Sequence, residues 1–130
     1  MTIARFDSDN PWEGTVGYCR VVRAGDHVHV AGTTATVDGR VVAPGDAAEQ
    51  TRVALGLVAE ALARAGASLA DVVRTRMFVT DISQWEAIGR AHGEFFADVR
   101  PVATMVEVTA LIDPDLLVEI EVDAYAPVGA

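Results

Sequence analysis

Apolar and polar residues change period several times along this chain, and each change marks an element. Residues 16–23 (VGYCRVVR) alternate and predict a strand. Ala24-Gly25-Asp26 reads as a turn, and residues 27–34 (HVHVAGTT) predict a second strand, so the pair forms a hairpin. Residues 35–45, with Asp38-Gly39 and Pro44-Gly45, read as loop. From Asp46 the period lengthens. Leu55, Val58, Leu62 and Ala65 recur at helical spacing, widened by Ala54 and Ala61. Asp46 with Glu49 forms a capping box at the start of this helix, and Gly66 ends it. Residues 72–80 (VVRTRMFVT) predict a strand. Ser83 and Glu86 mark a second capping box, before a helix whose apolar side is Trp85, Ile88, His92, Phe95 and Phe96. Pro101 blocks its continuation, and residues 102–109 and 117–125 predict two final strands around a loop with Asp113-Pro114.

The predicted order is β-β-α-β-α-β-β, an α+β chain with a mixed sheet and both helices on one face. No internal boundary, repeat or low-complexity tract divides residues 1–130, so one domain is expected. Alternation sorts the strand residues into two sets. Cys19, Val21, Val28, Val30, Met77, Val79, Val102, Val106, Val118, Ile120 and Val122 are apolar and belong under the helices. Tyr18, Arg20, His27, His29, Arg74, Arg76, Phe78, Ala103, Met105, Glu107, Glu119, Glu121 and Asp123 form the other set, mixing both charge signs with aromatic groups. Such a face is either a solvated surface with cross-strand pairs or a surface packed against other subunits.

Composition narrows the chemistry. A formal charge of −9 disfavours nucleic acid as a partner, because such binders need a basic face. All 10 basic residues are arginine, so no lysine can form a Schiff base, whereas guanidinium suits carboxylate recognition. The apolar runs are too short to span a bilayer, and no basic-then-apolar leader opens the chain, which predicts a cytoplasmic protein. The single Cys19 excludes an intramolecular disulfide and is expected as a structural thiol. His27-x-His29 has metal-ligand spacing without an evident third ligand, so no metal is expected. Neither a nucleophile elbow nor a phosphate loop is present, and no cofactor is expected. Trp12-Glu13-Gly14 reads either as a flap or as packing at an edge.

Several segments, in their order and spacing, resemble the Rid (YjgF-like) family over Gly17 to Ala126. They are Gly17-Tyr18, the run Val30 to Thr34, Gln50-Thr51-Arg52, the run Gly66 to Val73, Phe78-Val79-Thr80-Asp81, Phe95-Phe96, Arg100-Pro101, Val106-Glu107-Val108 and Val118-Glu119-Ile120-Glu121. The resemblance implies a chorismate-mutase-like fold and a homotrimer with ligand clefts between subunits. In the best-understood members of that family the clefts hydrolyse enamine and imine products of pyridoxal-phosphate enzymes to keto acids and ammonia without a cofactor of their own. It further implies that Glu119 positions the attacking water, that Tyr18 packs on the substrate and that the Gly32 backbone lines the cleft.

Two positions depart from the pattern. The family's Arg-Pro-x-Arg, whose second arginine clamps a substrate carboxylate, is here Arg100-Pro101-Val102-Ala103. A family asparagine of the second helix is replaced by Gly89. A charged hydrogen bond contributes about 1.5–3 kcal/mol, so losing the clamp predicts weak activity on amino-acid-derived imines. Arg20 or Arg76 is a candidate substitute, on the expectation that both share a sheet face with Ala103 and Met105. Two functions stand: an imine or enamine deaminase with altered substrate choice, and a non-catalytic trimer that binds a small metabolite. Ribonuclease activity, the third reading within the wider family, conflicts with the charge.

Overall fold

The computed structural model describes residues 2–129. Its elements in chain order are β1 (Ile3–Phe6), α1 (Trp12–Val16), β2 (Val21–Ala24), β3 (His27–Thr34), β4 (Thr36–Val37), β5 (Arg40–Val41), α2 (Ala47–Arg64), β6 (Val72–Val79), α3 (Trp85–Phe96), β7 (Val102–Glu107) and β8 (Val118–Tyr125). The main sheet has six strands in the order β1-β2-β3-β8-β6-β7. Every pairing in it is antiparallel except β6 with β7, which is parallel. That one parallel step requires a long crossover, and α3 provides it.

The long helix forms where its sequence signals it, but Glu49 does not close the expected capping box: its carboxylate meets Arg52, and the Asp46 N–H bonds Ala43 O. Asp46 sits in extended backbone, and its carboxylate accepts from the Glu49 N–H at 3.0 Å. At the other end the Ala67 N–H reaches Leu62 O at 2.9 Å and the Gly66 N–H reaches Ala63 O at 3.0 Å. Gly66 has φ +78°, the left-handed conformation that this double closure requires. Leu55, Val58, Leu62 and Ala61 point into the sheet, where they meet Val28, Val30, Val118, Ile120 and Val122. Each large apolar side chain among them contributes roughly 1.5–3 kcal/mol by leaving water. Helix α3 packs beside α2, so both helices cover one face and the other face is left open.

Five further expectations are corrected. First, residues 16–20 are not strand. Val16 ends α1, Gly17 to Arg20 turn, and β2 begins only at Val21, so Tyr18 and Cys19 lie outside the sheet and Cys19 does not join the core. The alternation there reflects a one-turn helix followed by a bend. Second, a short edge strand, β1, precedes these residues; four residues are too few to show a period. Third, the 35–45 loop contains the small β4–β5 hairpin, turning at Asp38-Gly39. Fourth, Ser83 is not the cap of α3. Asp81 accepts from the Ser83 N–H at 3.0 Å and its hydroxyl at 2.6 Å, capping a 3-10 turn at Ile82–Gln84 that leads into α3. Trp85 is then 59% exposed at the first position of the helix, not part of its apolar side.

The fifth correction bears on the site. β7 pairs with β6 in the register Thr75↔Ala103, Met77↔Met105 and Phe78↔Val106. Paired residues share a face. Ala103 and Met105 therefore lie on the helix-covered side, where Met105 packs against the core, while Val102 and Val106 are exposed on the open side. The segment VATMVE has two apolar residues of three on either alternation, so its pattern alone does not decide.

Candidate functional site

Glu119 is the residue around which the open face is organised. It lies in β8 between Thr34 of β3 and Phe78 of β6. Next to it, β3 bulges: the pairing with β8 jumps from Val30 to Thr33 and leaves Ala31 and Gly32 without direct partners. The bulge carries the Gly32 backbone up against the Glu119 carboxylate. A Cβ added at Gly32 would overlap Glu119 Oε2 and lie 2.9 Å from its Cδ, so only glycine permits this seat.

Arg20 holds the bulge from beneath. Its Nη1 donates to Gly32 O at 2.9 Å, to Thr33 Oγ1 at 3.2 Å and to Ala31 O at 3.4 Å. Its Nε lies 3.9 Å from Glu13 Oε2. Glu13 is only 5% exposed and is itself fixed by Ser8, whose N–H donates to it at 2.9 Å and whose hydroxyl donates at 2.5 Å. The Tyr18 ring lies with its centroid 5.9 Å from the Arg20 guanidinium carbon. A chain of contacts thus runs from Ser8 through Glu13 and Arg20 to the bulge and Glu119.

The environment of Glu119 pushes its carboxyl above the ordinary range. Burial is the main cause and the neighbouring Glu121 charge adds to it, while the Arg20 cation pulls the other way. A carboxyl so placed holds a proton more readily than a surface glutamate, which suits a group that accepts a proton from water and returns it.

Farther along the same face the charges pair among themselves. Arg76 Nη1 meets Glu121 at 3.1 Å and Asp123 at 3.4 Å. His29 Nδ1 lies 2.8 Å from Asp123, with the His27 ring stacked 6.4 Å away. No cluster of three or more His, Cys, Asp or Glu able to hold a metal ion occurs among the described residues. An open cleft of about 440 Å³ near the N-terminus is lined by Asp7, Ser8, Glu13 and Tyr18 among others, and Glu119 does not line it.

The candidate residues therefore separate into two groups. Tyr18, Arg20, Gly32 and Glu119 are brought together, with Arg76 joined through Glu121. Ala103 and Met105 are not. Ala103 sits on the opposite side of the sheet from Arg76 and Glu119, which overturns the expectation that they share a face. Three contributors escape a reading of the sequence alone. Glu13 stands out there only as a neighbour of Trp12. Gln50, fully buried, donates to Asp115 O at 2.9 Å and accepts from the Leu117 N–H at 2.8 Å, anchoring the segment that feeds β8. Thr75, fully buried, contacts His92 Nε2 at 2.9 Å, and burial lowers the His92 pKa. A lone polar residue inside an apolar stripe is the trace that Thr75 leaves in the sequence, and Gln50 also stands in one of the segments that carry the family resemblance.

The profile of the endoribonuclease L-PSP family matches residues 9–126. The chain belongs to the YjgF (Rid) family. Rv2704 of Mycobacterium tuberculosis, a member of the YjgF/YER057c/UK114 family, superposes with a TM-score of 0.87 at 53% identity, over 96% of this chain and 100% of that one. The uncharacterized protein SCO2049 of Streptomyces coelicolor is 45% identical over 95% of this chain and 92% of its own. The 3-aminoacrylate deaminase RutC of Acinetobacter baylyi is 36% identical over 79% of this chain and 82% of its own. With its solved Rid relative this chain shares a mixed α+β fold. Among the described residues of this Rid chain, no helix is long and apolar enough to cross a membrane.

Proposed function

We propose that this protein hydrolyses a small imine or enamine to a carbonyl compound and ammonia, in clefts completed by neighbouring copies of the chain arranged as a trimer. The seat of Glu119 carries this reading: a half-buried carboxylate pressed on a glycine bulge, its proton affinity raised, with Arg20 bracing the backbone beneath it. The deaminase relative, RutC, supports it. Water held by Glu119 adds to the C=N carbon, and the carboxyl then returns the proton to the departing nitrogen. Tyr18 stands on the same side as a surface for the substrate to pack on. Geometry supports the need for another copy. Ala103 lies two strands from Glu119 and on the other side of the sheet, so a residue at that position reaches a Glu119 only across copies.

The test is ammonia release from imines generated in situ, with 2-iminobutanoate and cyclohexanimine both in the panel. Wild type should accelerate at least one of them. Glu119→Gln should remove about 100-fold or more of that acceleration, and Gly32→Ala should remove most of it by displacing the carboxylate. A wild type inert toward both imines sinks the proposal.

Ala103 favours a second reading, a trimer that binds a metabolite without turning it over. Binding of an imine analogue by calorimetry, combined with no turnover of either imine, would establish it. The charge of −9 opposes a ribonuclease despite the family's name.

A further inference from the structure

We propose that the site takes imines without a carboxylate, as protonated iminium cations bearing an apolar substituent, in place of imines derived from amino acids. This rests on the deaminase reading above and names its substrate class.

The guanidinium groups around Glu119 are already committed. Binding a carboxylate side-on takes two parallel N–H groups from one edge of an arginine. One nitrogen on each edge of Arg20 is engaged: Nε faces Glu13 at 3.9 Å, and Nη1 is held by Gly32 O, Thr33 Oγ1 and Ala31 O, so Nη2 has no free parallel N–H beside it. Turning Arg20 outward would strip the bulge of its donor and leave Glu13 buried without its counter-charge. Arg76 is neutralised through Nη1 by two carboxylates, Glu121 and Asp123, so a third carboxylate would meet a net negative cluster there. Arg74 stands four residues before Phe78, the residue paired with Glu119, and so about 13 Å away along the strand. At position 103, where a neighbouring copy would present a clamp, stands alanine. None of these positions leaves an arginine to neutralise a substrate carboxylate, and Glu119 and Glu121 would repel one.

What flanks Glu119 instead is apolar, acidic or, at Thr34, a neutral hydroxyl. Phe78 is its direct cross-strand partner, and Val106, paired with Phe78, is exposed on the same face. An alkyl or aryl group can lie on this floor while the iminium nitrogen faces the two glutamates. The cation also favours the ionised form of Glu119, the form that draws a proton from water. The step balances as R₂C=NH₂⁺ + H₂O → R₂C=O + NH₄⁺. Water oxygen bonds to carbon, the C–N bond breaks, and protons from the water leave with nitrogen by way of Glu119.

The test pairs two imines that differ in the carboxylate. Cyclohexanimine is made in situ from cyclohexylamine by a flavin amine oxidase, and 2-iminobutanoate from 2-aminobutyrate by an amino-acid oxidase. Each is followed against its own spontaneous hydrolysis. Wild type should accelerate cyclohexanimine at least about tenfold more than 2-iminobutanoate. Cyclohexylammonium, but not 2-aminobutyrate, should compete. Ala103→Arg, at an exposed edge-strand position, should gain about 10–100-fold on 2-iminobutanoate. A wild type that prefers 2-iminobutanoate overturns the substrate class and leaves the deaminase standing. Inertness toward both overturns the deaminase reading and this one with it. A variant that gains nothing shows that position 103 does not exclude carboxylates, and the substrate class is overturned on that ground as well.

Discussion

The two faces of the sheet are built from the same strands and obey different physics. On the covered face, Val28, Val30, Val118, Ile120 and Val122 pack under Leu55, Val58 and Leu62, and every one of these is almost fully buried. Burial is complete within one chain. On the open face, Arg76, Glu121, Asp123 and His29 pair with one another while still partly exposed, and Val102 and Val106 stand at 59% and 43% exposure. Exposed ion pairs contribute little, with a median of about 0–1 kcal/mol. The contrast teaches that stability resides on one face, while the open face leaves paired charges and two valines in reach of solvent.

The largest expected effect breaks the covered face. Leu62→Ala removes a fully buried side chain and should cost about 2–5 kcal/mol in chemical denaturation. Its counterpart, Val106→Ala on the open face, should cost less than about 0.5 kcal/mol in the isolated chain. A larger cost that grows as the protein is concentrated would show copies packing on that face.

The next effect falls where the faces meet, at the bulge. Arg20→Met removes the cation that pulls the Glu119 pKa down, so that pKa rises further. If ionised Glu119 takes the proton from water, the acid limb of kcat/KM moves to higher pH. Activity measured on that limb then drops by about tenfold for every pH unit the limb moves. A profile that only loses height, with its limb unmoved, would reduce Arg20 to a structural brace.

The smallest effect is a pH dependence on the covered face. Burial lowers the His92 pKa below its ordinary 6.5. As pH falls through 6.5, the unfolded chain takes up a proton that the folded chain refuses, so stability declines toward the folded pKa. The slope is at most about 1.4 kcal/mol per pH unit for this one proton. His92→Gln should flatten the difference in Tm between about pH 7.5 and about pH 5.5 relative to wild type. An unchanged dependence would assign it to other groups.

Much of this protein was legible in its sequence, for local reasons. The helix from Ala47 to Arg64, with Asp46 as its cap and Gly66 at its close, follows from 3.6-residue spacing and end chemistry, both carried by adjacent residues. Strands β3, β6 and β8 follow from alternation, because each has a mostly apolar side to bury. The tertiary structure alone decided three things. Apolar residues on both sides of β7 made Val102 and Val106 read as its buried side, and pairing with β6 instead turns Ala103 and Met105 toward the helices. The turn at Gly17 to Arg20 depends on Glu13 and the bulge, partners that no period records. The seat of Glu119 on Gly32 exists only because a bulge brings together positions 87 residues apart in the chain (119 minus 32). Periodicity reports which side of an element is apolar; the register between elements, on which this site rests, is set by the strand that arrives beside it.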